Sequence, residues 1–100
     1  MDKRRIVEEA LADLEVEQVN IMDGLDSAIA GIGCQYGKPT LVVYDEELVI
    51  KSLVDEHDMK LDEAWEYYNF NIKHAYYGEG TPIIMQSMDT MAEHFGFNNV

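Results

Sequence analysis

The sequence predicts an α+β domain in which a small three-stranded mixed sheet (about 28–35, 40–44 and 81–86) is packed by two central helices (about 46–56 and 61–77), with an N-terminal and a short C-terminal helix at the ends. Three observations lead there. Thr40–Tyr44 reads Thr-Leu-Val-Val-Tyr, a β-branched and aromatic run of nearly continuous apolar character, which marks a central strand buried on both faces. The two stretches that follow it space their apolar residues at helical intervals. At 100 residues the chain is long enough for one hydrophobic core and too short for two, so residues 1–100 read as a single domain: a peripheral helix within 1–19, a core over 23–85, and a short helix and tail over 86–100.

In chain order, residues 2–18 place Ile6, Ala10 and Leu14 on one helical stripe with Val7 and Leu11 beside it, and Glu8, Glu9, Asp13 and Glu15 opposite. Lys3, Arg4 and Arg5 stand where the helix dipole prefers negative charge, which suits a weakly held terminus or an arm that docks elsewhere. Asp23-Gly24 is a turn signal. In the first strand Gly31 and Gly33 are two apart and share a face, a smooth strip that allows close approach of a backbone or a ligand. No Lys-Ser/Thr follows them, so the glycines are a poor match to a phosphate loop. Tyr36-Gly37-Lys38-Pro39 is a turn. Asp45 ends the central strand and caps the next helix through the amides of Glu47 or Leu48, and Val49, Ile50, Leu53 and Val54 form that helix's buried side.

The stretch from Met59 to Met85 holds most of the aromatics. Helical phasing puts Ala64, Tyr67, Tyr68, Asn71, Ile72 and Ala75 on one face, flanked by Trp65 and Tyr76. Asn71 on a buried face requires hydrogen-bond partners. Phe70 points the other way, beside Glu66 and Lys73, and an aromatic so placed hints at an interface. Gly78 is positioned to end the helix, Glu79 lies in a loop between two glycines, and Pro82 opens the third strand. A short helix around Asp89–His94 follows, with Phe95 and Phe97 expected to pack back on the body.

Twenty Asp and Glu against seven Lys and Arg give a formal net charge of -13, which argues against nucleic acid or an anionic membrane and suits a partner with a basic surface. Cys34 is alone, so no intramolecular disulfide can form, and no apolar stretch approaches membrane-spanning length; a cytoplasmic location is expected. His57, His74 and His94 are scattered, and no Cys cluster, HExxH, GxSxG or Walker pattern is present, so neither a metal nor a cofactor nor a catalytic residue is assigned. Asp55, Glu56, Asp58, Asp62, Glu63 and Glu66 concentrate negative charge near the junction of the central helices, either as a solvated face or as one presented to a basic groove.

Between Asp23 and Met85, about two thirds of the chain, the ordered segments AIAGIG, YGKP, VVYD, EAWEYYNFN and GEGTPIIM resemble a family of short, functionally uncharacterised proteins of bacteriophages and bacteria. Members usually carry Gly-Met-Ser or Gly-Met-Thr ahead of the second helix; here Asp58-Met59-Lys60 stands there, without the hydroxyl cap. The family has no established activity, so the resemblance implies little about function; its phage association favours an accessory protein that binds a host factor, and a host or phage protein is the expected partner. The expected function is thus a small acidic, non-enzymatic binding protein, of inhibitor or nucleic-acid-mimic type, with Glu63, Glu66 and Phe70 as partner contacts. One alternative is an enzyme or small-ligand domain with a pocket at Gly31, Gly33, Tyr44, Asp45, Asn71 and Glu79. Another is a homo-oligomeric structural component.

Overall fold

Strand passes into helix at Asp45 without a loop. This residue closes β2 (Leu41–Asp45), and from an extended backbone its Oδ1 accepts from the amides of Glu47 at 2.9 Å and Leu48 at 3.3 Å, which starts α2 (Glu46–Asp55). The computed structural model describes residues 1–97. The remaining elements are α1 (Lys3–Asp13), a 3-10 turn (Asp26–Ala28), β1 (Ile29–Gly33), α3 (Leu61–Asn71), β3 (Ile83–Met85) and α4 (Met88–His94). Asn98, Asn99 and Val100 of the expected tail lie outside the described residues.

The fold is α+β, with a mixed sheet ordered β1-β2-β3. β1 and β2 form an antiparallel hairpin whose turn is closed by the Lys38 amide donating to the Gln35 carbonyl at 2.9 Å, with Gly37 at φ 77°. β2 and β3 are parallel, Val43 opposite Ile83 and Tyr44 opposite Ile84, so α2 and α3 together make the crossover that a parallel pair requires.

β2 is central, as its apolar run implied, yet burial alternates along it: Val42 and Tyr44 are fully buried while Leu41, Val43 and Asp45 are half-buried. The helices cover the Val42/Tyr44 face, where Val49 and Leu53 of α2, Ala64 and Tyr68 of α3, and Val7 and Leu11 of α1 join Ile29 in one core. Each large apolar side chain buried there stabilises the fold by roughly 1.5–3 kcal/mol. The register places Gly31 and Gly33 opposite Val43 and Leu41 on the other face, after a bulge that leaves Ala30 unpaired. A Cβ at Gly33 would stand 3.1 Å from Val43 Cγ2, so that glycine makes room for its neighbour.

α1 is shorter than its charge and apolar pattern implied. It stops where Glu15 takes φ 56° and the amides of Glu15 and Val16 donate to the carbonyls of Ala12 and Leu11. The buried side is Val7 and Leu11, and Ile6 and Leu14 are exposed, because a helix this short meets β1 and the 3-10 turn along a single line. The basic start is offset from outside the helix. Arg4 Nη1 lies 3.1 Å from Asp23 and 3.5 Å from Asp26, Lys3 Nζ donates to the Ser27 carbonyl at 2.8 Å, and Asp2 caps the helix through the Arg5 amide.

α3 also differs, ending at Asn71 rather than running to Gly78. The amides of Ile72 and Lys73 both donate to the Tyr68 carbonyl, which turns the chain and seats Ile72 in the core. Its buried line is Ala64, Tyr68 and Ile72 alone, since α2 is the main element packed on it; Tyr67 and Asn71 are exposed, so Asn71 does not sit on a buried face. Phe95 and Phe97 are likewise exposed. α4 is held by polar contacts, including Thr90 Oγ1 to Glu47 Oε2 at 2.6 Å, rather than by an apolar seat that would draw them in.

Candidate functional site: a groove beside the third helix

The loop Asn20–Leu25 is pinned at two points. The Met22 amide donates to the buried Tyr44 hydroxyl at 2.8 Å, and the Asn20 amide donates to the Gly80 carbonyl at 3.0 Å. A Cβ at Gly80 would fall 2.0 Å from the Gln18 carbonyl oxygen, so only glycine lets the two segments meet this closely. Thr81 braces the Gly80 turn: its Oγ1 accepts from the Tyr77 amide at 2.7 Å and donates to the Gly78 carbonyl at 2.6 Å.

Pinned in this way, the loop faces the outward edge of α3 across a hollow of about 340 Å³. Leu25, Leu53 and Ile72, all buried, form its floor with Met59, and Asn20, Asp23, His57, Tyr67, Asn71 and Tyr77 form its rim. Met59, Tyr67 and Asn71 also border a second, shallower depression completed by Glu63, Glu66 and Phe70. The two run together as one groove along α3. No Lys or Arg contributes to either lining.

The rim's polar groups have defined orientations. Asn71 Nδ2 donates to the Tyr67 carbonyl at 3.2 Å, Asn20 Nδ2 to the Tyr77 carbonyl at 3.4 Å, and His57 Nε2 lies 2.8 Å from the Gly24 carbonyl. Asp23 is paired with Arg4, whose guanidinium is held above its ordinary pKa chiefly by that hydrogen bond. Glu63 has a second role. Lys60, at the N-cap of α3, supplies no side-chain acceptor, and Glu63 Oε1 accepts from the Lys60 amide at 3.1 Å, one half of a capping box.

Of the residues singled out from sequence, Glu63, Glu66 and Phe70 therefore border one depression, with Phe70 80% exposed. Gly31, Gly33, Tyr44, Asp45, Asn71 and Glu79 are dispersed. The glycines lie on the half-open sheet face, Tyr44 points to the opposite, buried face, Asp45 caps α2, Asn71 lines the groove, and Glu79 belongs to a surface hollow with Gln18, Pro39 and Tyr77. Asn20, Met22, His57, Tyr67 and Tyr77 were not singled out as a set, since no local pattern joins residues this far apart in sequence.

A second polar cluster sits at the carboxyl ends of β2 and β3. Glu46 is 5% exposed, and its carboxylate accepts from the Tyr68 hydroxyl at 2.5 Å and from Gln86 Nε2 at 3.2 Å, with Lys73 Nζ 4.0 Å away. Burial, reinforced by the hydrogen bond and the charge of Glu46, pushes the Tyr68 phenol well above the usual tyrosine range; burial also raises Tyr44. Both phenols thus stay protonated and act as structural hydrogen-bonding groups. Among the described residues, no group of three or more His, Cys, Asp and Glu is placed to hold a metal ion, and no helix is long and apolar enough to cross a membrane. The chain matches no protein-family model, no curated protein and no solved structure.

Proposed function

We propose that this protein is a small, non-enzymatic accessory protein that binds a host or phage protein with a basic surface through the groove along α3. The observation that carries this reading is the meeting of Glu63, Glu66 and Phe70 with Met59 and Tyr67 in a single depression with no cationic side chain in its lining. Carboxylates there favour a basic partner and speed its approach, while the exposed ring of Phe70 and the adaptable Met59 supply apolar contact. The net charge of -13 adds long-range attraction of the same sign. The resemblance to short phage and bacterial proteins fits an accessory role in the cytoplasm.

Affinity capture from a bacterial lysate tests it, with wild-type protein, Phe70→Asp and Glu66→Lys as baits at low and moderate salt. Glu66 makes no hydrogen bond that the fold needs and Phe70 is solvent-facing, so both variants should keep the wild-type stability to within about 0.5 kcal/mol. The expected result is a specific partner lost from both variants and weakened by salt. Identical partner profiles for all three baits would sink the reading.

A further inference from the structure

We infer that the 340 Å³ hollow at the Tyr67 end of the groove binds, independently of the docking reading above, an uncharged heteroaromatic ring of the nucleobase class, as a base or nucleoside without phosphate. Charge narrows the occupant first. No Lys or Arg lines the hollow, and its one carboxylate, Asp23, already faces the Arg4 guanidinium at 3.1 Å. An ion placed there would give up its hydration with no free counter-charge to replace it, and the net charge of -13 repels a phosphate in particular. The occupant is therefore neutral.

The walls narrow it further. Leu25, Leu53 and Ile72, all buried, make an apolar floor with Met59, against which the hydroxyls of a sugar or another polyol would lose their hydrogen bonds to water. The rim is mixed. Asn20 and Asn71 each spend one amide hydrogen, on the Tyr77 and Tyr67 carbonyls, and each keeps a second hydrogen and the accepting Oδ1. His57 Nε2 donates to the Gly24 carbonyl, which can only accept, and the neutral ring retains Nδ1 as an acceptor. The hydroxyls of Tyr67 and Tyr77 both donate and accept. A hydrocarbon chain or a plain phenyl ring would leave this set unmatched as it excluded water. What fits has flat apolar faces for the floor and the tyrosine rings, and both donors and acceptors in its own plane for the amides.

A nucleobase has that build. Each base carries N–H donors beside ring-nitrogen or carbonyl acceptors along an edge, the kind of edge that an asparagine amide reads with paired hydrogen bonds, and every base has a π-face that stacks on an aromatic side chain. Tyr67 is 44% exposed and Tyr77 57%, so both rings are open to such a ligand. The volume lies near the lower end of the roughly 300–1,000 Å³ range for ligand pockets, which suits one ring system with a sugar at the mouth rather than a dinucleotide.

The test uses the full chain, nitrogen-labelled, titrated with adenosine, guanosine, cytidine and uridine, with the 5′-monophosphate of each, and with acetyl-tryptophan-amide, a neutral aromatic whose ring donates but does not accept. The expected result is that at least one nucleoside shifts the amide resonances of Asn20–Leu25 and Tyr67–Ile72 with a Kd below about 1 mM, while its monophosphate and the tryptophan amide bind about tenfold more weakly. Asn71→Leu removes an amide edge and Tyr67→Leu a stacking ring. Both positions are exposed, so each variant should keep the wild-type melting temperature and weaken that nucleoside by about fivefold or more. The base site is overturned if no nucleoside reaches a Kd of about 1 mM, if the shifts map outside the hollow, if the monophosphate or the tryptophan amide binds as tightly as the nucleoside, or if either variant binds it undiminished.

Discussion

Glu46 and Glu66 lie on adjacent helices in opposite surroundings. Glu46 is enclosed, its carboxylate accepting from Tyr68 and Gln86 with Lys73 close by, and its place in the first turn of α2 adds the favourable end of the helix dipole. Glu66 is exposed beside Phe70 at the edge of a groove with no Lys or Arg in its lining. The lesson of the difference is that this chain closes its polar network on the β2–α2 side and leaves carboxylates open to solvent on the α3 side. Stability and binding should therefore respond to different substitutions.

The strongest way to break that separation is Gly80→Ala, because Gly80 belongs to both sides, holding the Asn20 loop against the turn before β3. The added Cβ meets backbone rather than a flexible side chain, and about 3 kcal/mol of stability should be lost in chemical denaturation, together with the groove resonances. A loss below about 1 kcal/mol would mean that the clamp gives way freely and that the groove is not held by it.

A smaller effect sharpens the closed side. Tyr68→Phe removes a donor from a buried carboxylate and should cost about 2 kcal/mol while leaving partner capture intact. It should also change the alkaline limb of stability. The pKa values of Tyr68 and Tyr44 are raised in the folded protein, so their contribution is fully present below the unfolded tyrosine value of 10.0 and is lost as pH rises above it, where the unfolded chain releases protons that the folded one retains. Melting curves should show wild-type stability falling above that pH and a shallower fall in Tyr68→Phe; an unchanged slope would refute the assignment.

The smallest change sharpens the open side. Lys60→Ser supplies the acceptor that the α3 N-cap lacks and completes the box begun by Glu63, a gain of about 1 kcal/mol measured by denaturation. If stability does not rise, the start of α3 is set by packing of Ala64 and Tyr68 rather than by its cap.

Much of the architecture was legible in the sequence because local chemistry and packing agree there. Thr40–Tyr44 has no stable alternative to a strand, Asp45 is a cap wherever a helix follows it, and Phe70 falls off the buried line of α3 under any helical phasing. Asn71 was misplaced because phasing assumes a broad buried face, whereas α3 buries only Ala64, Tyr68 and Ile72. The groove was only half legible: Glu63, Glu66 and Phe70 share one helix, but the loop that completes it arrives through the contacts of Asn20 with Gly80 and Met22 with Tyr44, which no spacing encodes.

By itself, then, the sequence determined the strands, the start of α2, the acidic character and the outward aromatic, because propensity, capping and charge act over a few residues. Tertiary structure alone decided where α3 ends, that Glu46 is enclosed, and that a loop some fifty residues away in sequence faces Tyr67 and Asn71 across a hollow. Those outcomes depend on which long-range contacts offset the entropy of ordering the chain, and that balance is struck only when the whole core has assembled.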